Sequence, residues 1–192
     1  MIRPFPAIAL VCALLAGAFY SPVAAQQRAL QLGEVKIRFH TIAGKTNNKS
    51  LETTFRAVAG GNVEITSKPY DVSAATIRLQ TDRALKPTEI VATGKVRLVS
   101  RNPATGQKLI ATCDKSVYSK TGNAALGAIT LTGSVNAEIY EKGFVGPVII
   151  KGDTASFDFL PNGDLAFSAV GNNGSGTMTG QPVEAAPKGE KP

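Results

Sequence analysis

The chain has 192 residues, 43% of them hydrophobic and 18% charged, enough for one folded domain of ordinary size. One histidine and two cysteines exclude a histidine-rich metal site and a disulfide framework. The net charge of +7 favours anionic partners, among them phosphorylated lipid, an anionic membrane surface and nucleic acid.

Residues 1–25 read as an export signal. Arg3 supplies the positive end, Ala7 to Phe19 is a short apolar run, and Pro22-Val23-Ala24-Ala25 offers small residues for cleavage after Ala25. The run falls short of the roughly 20 residues that cross a bilayer as a helix, and retention as an anchor is the alternative. Cys12 lies inside this run without the small residue that precedes a lipidated cysteine, so it belongs to the signal. Export argues against nucleic acid as the partner and leaves Cys113 as the one remaining thiol, read as a small core residue and not a nucleophile. The basic residues are scattered over alternating positions such as Arg78, Lys95 and Arg97, the pattern of a solvated sheet face.

After the leader, residues 26–50 read as an N-terminal strand and linker. Gln31 to Phe39 alternates through Leu32, Val35, Ile37 and Phe39 with one slip at Gly33-Glu34, and Gly44 to Ser50 reads as a turn. Residues 51–171 form the main domain, entered through Leu51 to Ala59. Its period-2 pattern runs through Val63 and Ile65, Ile77 and Leu79, Ile90 and Ala92, and Val96 and Leu98. It continues through Ile129 and Leu131, Val135 to Ile139, Val148 and Ile150, Ala155 to Phe159, and Leu165 to Ala169. Turn chemistry separates these runs at Asn102 to Gly106, Lys120 to Asn123, Glu141 to Gly143 and Pro161 to Asp164, which predicts that consecutive strands pair as hairpins. From Gly171 the periodicity ends, and residues 172–192 read as a flexible tail.

Within the domain one unit recurs three times. A first strand begins Gly61-Asn62-Val63, Gly94-Lys95-Val96 or Gly133-Ser134-Val135, and a second ends at Leu79, Tyr118 or Phe157. The first copy is six residues shorter than the other two, and it has Ala75 where they have Asp114 and Asp153. The recurrent glycines mark bulges or bends. Repeated hairpins that cannot bury their own apolar faces stack on one another. The result is an all-β, antiparallel body with one long apolar interior.

The catalytic inventory is short. His40 is the one histidine, and no nucleophile elbow, phosphate loop or zinc-helix pattern is present. Asp114 and Asp153 occupy the same place in successive repeats, which suits a turn or strand edge better than a pair of carboxylates facing one cleft. The chain therefore reads as non-enzymatic and free of cofactors and metals.

The order of these strands carries a resemblance. Ala92-Thr93-Gly94-Lys95-Val96-Arg97-Leu98, Ala111 to Tyr118, Ile129 to Val135 and Ile150 to Phe157 resemble the OstA-like (LptA) family, which includes LptA, LptC and the N-terminal part of LptD. The similarity covers roughly Leu51 to Gly171. It implies an open β-jelly roll built from repeated antiparallel hairpins, in the periplasm, whose dry interior holds the acyl chains of lipopolysaccharide. It further implies head-to-tail self-association and LptC-like and LptD-like partners.

The inward parity nominates Val63, Ile65, Leu79, Val96, Leu98, Tyr118, Leu131, Val135, Ile139, Phe157 and Phe159 as the lipid-binding groove, with Lys or Arg at its rim for a phosphorylated head group. The competing readings are a structural module that assembles through sheet edges without lipid, and a membrane-anchored LptC-like component.

Overall fold

The structure, a computed structural model, describes residues 27–32, 34–46, 50–102, 105–120, 127–160, 165–171 and 177–181. The leader read at residues 1–25, parts of the predicted turns, and most of the predicted tail lie outside the described residues.

Alternation of apolar and polar residues produces strands along the whole described chain. The first seven are short: β1 (Arg28–Leu32), β2 (Val35–Phe39), β3 (Thr41–Thr46), β4 (Leu51–Arg56), β5 (Val63–Thr66), β6 (Tyr70–Ala74) and β7 (Thr76–Thr81). Four long ones follow: β8 (Pro87–Arg101), β9 (Lys108–Ser119), β10 (Ala128–Tyr140) and β11 (Val148–Phe159). Two short strands, β12 (Leu165–Val170) and β13 (Thr177–Thr179), end the series. Among the described residues all pair antiparallel in a single sheet of 13 strands that is not closed.

The sheet is folded over on itself along a crease. Strand β8 shows this directly: its first half pairs with β7, from Thr81↔Pro87 to Thr76↔Thr93, and its second half pairs with β6, from Ser73↔Arg97 to Tyr70↔Ser100. Strand β11 likewise pairs with β13 through Ile149 to Lys151 and with β12 through Thr154 to Phe159. One layer therefore holds β1, β2, β5, β6, the Val96–Arg101 end of β8 and β13. The other holds β3, β4, β7, the Pro87–Thr93 end of β8 and β12. Strands β9 and β10 run through both layers. This is an open β-jelly roll.

Backbone chemistry sets the crease. Gly94 and Lys95 both have positive φ (82° and 51°), as do Gly133 and Ser134 (78° and 47°), and the pairing register shifts at both places. Two successive left-handed residues make a bulge that turns the strand without ending it. Earlier in the chain the crease is bridged by backbone hydrogen bonds. His40 N–H donates to the Arg56 carbonyl, Ala57 N–H to Ala75, and Ala75 N–H to Gly94, each at 3.0 Å. A side chain at Gly94 would meet the Ala75 methyl at 2.9 Å, and one at Gly133 would collide with the Asp114 carboxyl. Ala75 and Asp114, the aligned residues of the first two repeats, thus stand on the crease opposite the next repeat's glycine.

Several sequence expectations are corrected here. Where the alternation slips, β1 and β2 are hairpin partners, with Leu32 paired to Val35. Gly44 to Thr46 belongs to β3 and not to a turn, since Thr46 still pairs with Leu51. Gly94 and Gly133 lie within long strands, not at strand starts. Consecutive strands are hairpin partners from β7 to β12, whereas β2 to β3, β4 to β5 and β6 to β7 pass from layer to layer. Thr177–Thr179, within the segment read as tail, forms a strand on the edge of β11.

The core lies between the layers. Phe55 and Phe157 are its largest fully buried side chains, one in each half of the chain. Phe39 packs against Phe55 with ring centroids 5.2 Å apart. Their burial and that of the aliphatic side chains around them is the main stabilising term.

Candidate functional site

Opposite the crease, where the strand ends of the two layers face one another, the core is incomplete. A cavity of about 450 Å³ opens there. Both ends of β8 reach it, through Pro87 and Ile90 from one layer and Leu98 and Arg101 from the other. Both ends of β9 do the same, through Leu109 and Tyr118. A strand whose two ends line one space must be bent around it, so this is the mouth of the folded sheet.

Cross-strand register builds the walls. In one layer Ile90, Tyr118 and Ile129 form a row across β8, β9 and β10; in the other Tyr70, Ser100 and Leu109 form a row across β6, β8 and β9. The space exists because small polar residues occupy inward positions. Ser100 stands between Tyr70 and Leu109, and Ser116, 5% exposed, stands between Ala92 and Leu131. A larger aliphatic residue at either would close part of the gap.

The tyrosines stay uncharged. Burial raises the Tyr70 hydroxyl above its ordinary value, Ser67 opposes this through a hydrogen bond, and nearby Tyr118 adds to the rise. Burial also raises Tyr118. Charge enters the lining through Lys86, Arg101 and Lys120, with no aspartate or glutamate among the described lining residues. Arg101 is paired with Asp71.

All eleven residues nominated by sequence share the single interior. Leu98, Tyr118 and Phe159 line the cavity. Val63, Ile65, Leu79, Val96, Leu131, Val135, Ile139 and Phe157 lie elsewhere in the filled core, each at most 6% exposed. Sequence reasoning missed Tyr70, Val72, Leu109, Ile90, Ile129 and Leu165. The last three were on the inward parity, and their signal was position: each is near the end of a strand, at the mouth. Tyr70 and Val72 lie in a strand that the repeat pattern did not mark.

Other candidates have structural explanations. Burial, only partly offset by backbone hydrogen bonds, pushes the Cys113 thiol up to about 11, so it is a weak nucleophile at neutral pH. Among the described residues no cluster of three or more His, Cys, Asp or Glu is placed to hold a metal ion. The interior is also unsealed at the C-terminal edge. There Phe167 shares the inner face with Phe157, and Met178 shares it with Ile150, yet they are 41% and 62% exposed.

No family model matches the chain. No curated protein matches it either. Among solved structures it is similar to the crystal structure of LptH, the LptA-homologous periplasmic component of the conserved lipopolysaccharide transport device from Pseudomonas aeruginosa. The TM-score is 0.56 at 12% identity, over 77% of this chain and 95% of that one. The two share the β-jelly-roll fold.

Proposed function

We propose that this chain is a periplasmic, non-enzymatic lipid carrier that moves lipopolysaccharide from the inner toward the outer membrane, with acyl chains held between its two layers. The observation that carries this reading is the apolar cavity at the mouth, flanked by opposite ends of the same strands. The fold shared with a periplasmic lipopolysaccharide-transport component supports the choice of cargo. In this reading residues 1–25 are a cleaved export signal and residues 51–171 the carrier domain.

Burial of chain methylenes supplies affinity, at about 0.8 kcal/mol each as an upper figure. Leu98, Tyr118 and Phe159 meet the chain first. The eight deeper nominated residues form the surface over which longer or additional chains extend when the layers part. Among the described residues, strands β1, β3, β12 and β13 each leave an edge unpaired. Together with exposed Phe167, Val170 and Met178 at the C-terminal end, these edges suit head-to-tail stacking of copies and docking of LptC-like and LptD-like components.

The test is photo-crosslinking in cells from a reactive residue at Leu98, with Arg97 on the outer face as the control. Lipopolysaccharide adducts at 98 and not at 97 are expected. Adducts at 97 alone, or at neither, overturn the carrier. The unpaired edges also fit an assembly module without cargo, and mass spectrometry of gently purified protein separates the two, since bound lipid is expected only for the carrier.

A further inference from the structure

We infer that the mouth cavity is a site for one acyl chain with an anionic head, the chain lying between the Ile90–Tyr118–Ile129 row and Leu98, and the head held by Lys86 and Lys120. This deepens the lipid reading above by naming what the cavity accepts in its present shape.

Volume sets the chain number. The cavity, about 450 Å³, lies toward the lower end of the roughly 300–1,000 Å³ of sites that hold one small ligand, which suits one acyl chain. A lipid with several chains fits only after the layers separate.

Charge sets the head. Two of the three cations in the lining, Lys86 and Lys120, are exposed at the mouth and make no ion pair among the described residues. Their backbones are fixed on either side of the start of β8. Lys120 N–H donates to the Thr88 carbonyl at 3.0 Å, and the Lys86 carbonyl accepts from Asp82 N–H at 3.0 Å. Among the described residues no carboxylate lines the cavity, and Asp82, beside Lys86, spends one carboxylate oxygen on the Ala84 and Lys86 backbone N–H groups, so an anion at the lip meets attraction from both lysines. A zwitterionic head brings a cation that gains nothing from this lip.

The experiment titrates the purified chain with lipids carrying one sixteen-carbon chain: palmitate, an anionic lysophospholipid and a zwitterionic lysophospholipid. Binding is followed by calorimetry and native mass spectrometry. One lipid per protein is expected, with the anionic lysophospholipid at least about tenfold tighter than the zwitterionic one at low salt. A phosphate-selective lip favours the lysophospholipid over palmitate, whereas a general anion lip binds both.

The K86Q/K120Q double variant should erase the head preference and keep the dependence on chain length. Ser116→Leu, which fills the cavity without removing a core side chain, should abolish binding while the melting temperature holds. Two or more lipids per protein, equal affinity for both lysophospholipid heads, or wild-type binding by Ser116→Leu would overturn the inference. Lipopolysaccharide adducts at Leu98 without head preference sink this inference and spare the carrier. Single-chain binding without such adducts does the reverse.

Discussion

The chain up to Thr81 and the chain from Pro87 onward fold over the same crease by different means. Strands β1 to β7 have four to six residues each and change layer between elements, held across the crease by backbone hydrogen bonds at His40, Ala57 and Ala75. Strands β8 to β11 have 12 to 15 residues each and carry both layers in one continuous backbone. Charge follows the same division. Each ion pair among the described residues has a partner between Glu34 and Arg78, including the Lys45–Glu52–Arg78–Glu89 chain across β3, β4, β7 and β8.

Exposed pairs of this kind contribute roughly 0 to 1 kcal/mol. The lesson is that short strands lean on outer-face chemistry that salt and acid can reach, while the long strands lean on packing and on two bulges.

The strongest test of that contrast removes the packing anchors. Phe157→Ala and Phe55→Ala each leave a large hole in a fully buried site and should cost about 3–5 kcal/mol, lowering Tm by about 10 °C. Calorimetry should show one transition for each variant, since both rings belong to one core. Two separated transitions would break the halves apart as independent units.

A smaller effect belongs to the bulges. Gly133→Ala forces a side chain into positive φ and against Asp114, and should cost about 1–3 kcal/mol by urea unfolding. Gly106→Ala has a similar φ of 75° but no neighbour within 4 Å, so it should cost less. Adding Asp114→Ala to Gly133→Ala should recover only the share due to the carboxyl, because the Cβ at position 114 still lies 2.8 Å from the new methyl and the positive φ is unchanged.

The smallest effect belongs to the charges. A hydrogen bond from Lys45, opposed by desolvation and aided by the charges of Lys45 and Arg78, holds the Glu52 carboxyl below its ordinary 4.5. A depressed value in the folded state means that the stabilisation is present above 4.5 and is lost as pH falls through the lower folded value. Wild type should melt slightly above Glu52→Gln at neutral pH, and the gap should close both on acidification and at high salt. A gap that widens in acid would contradict this assignment.

Much of the fold was legible because period-2 alternation fixes which face is inward, and Ile90, Leu98, Tyr118, Ile129 and Phe157 all lie on the face it marked. The crease was half legible. Gly94 and Gly133 were readable as bends, but Lys95 and Ser134 carry no sign that they would follow in the left-handed region and let the strand continue. The corners at His40 and Ala75 have no glycine signal at all.

The cavity was the least legible feature, because parity tells which side chains face inward and not which of them find a partner opposite. Its clue was a pair of serines on the inward parity, Ser100 and Ser116, where an aliphatic residue would complete the core.

The two doublets of left-handed residues have a mechanical corollary. They make the crease the spine of a book whose pages are the two layers. The doublets lie in β8 and β10, and the ladders between neighbouring strands run beside each strand and not across the gap between the pages. In the proposed carrier, capacity would grow at this line with the strand ladders intact.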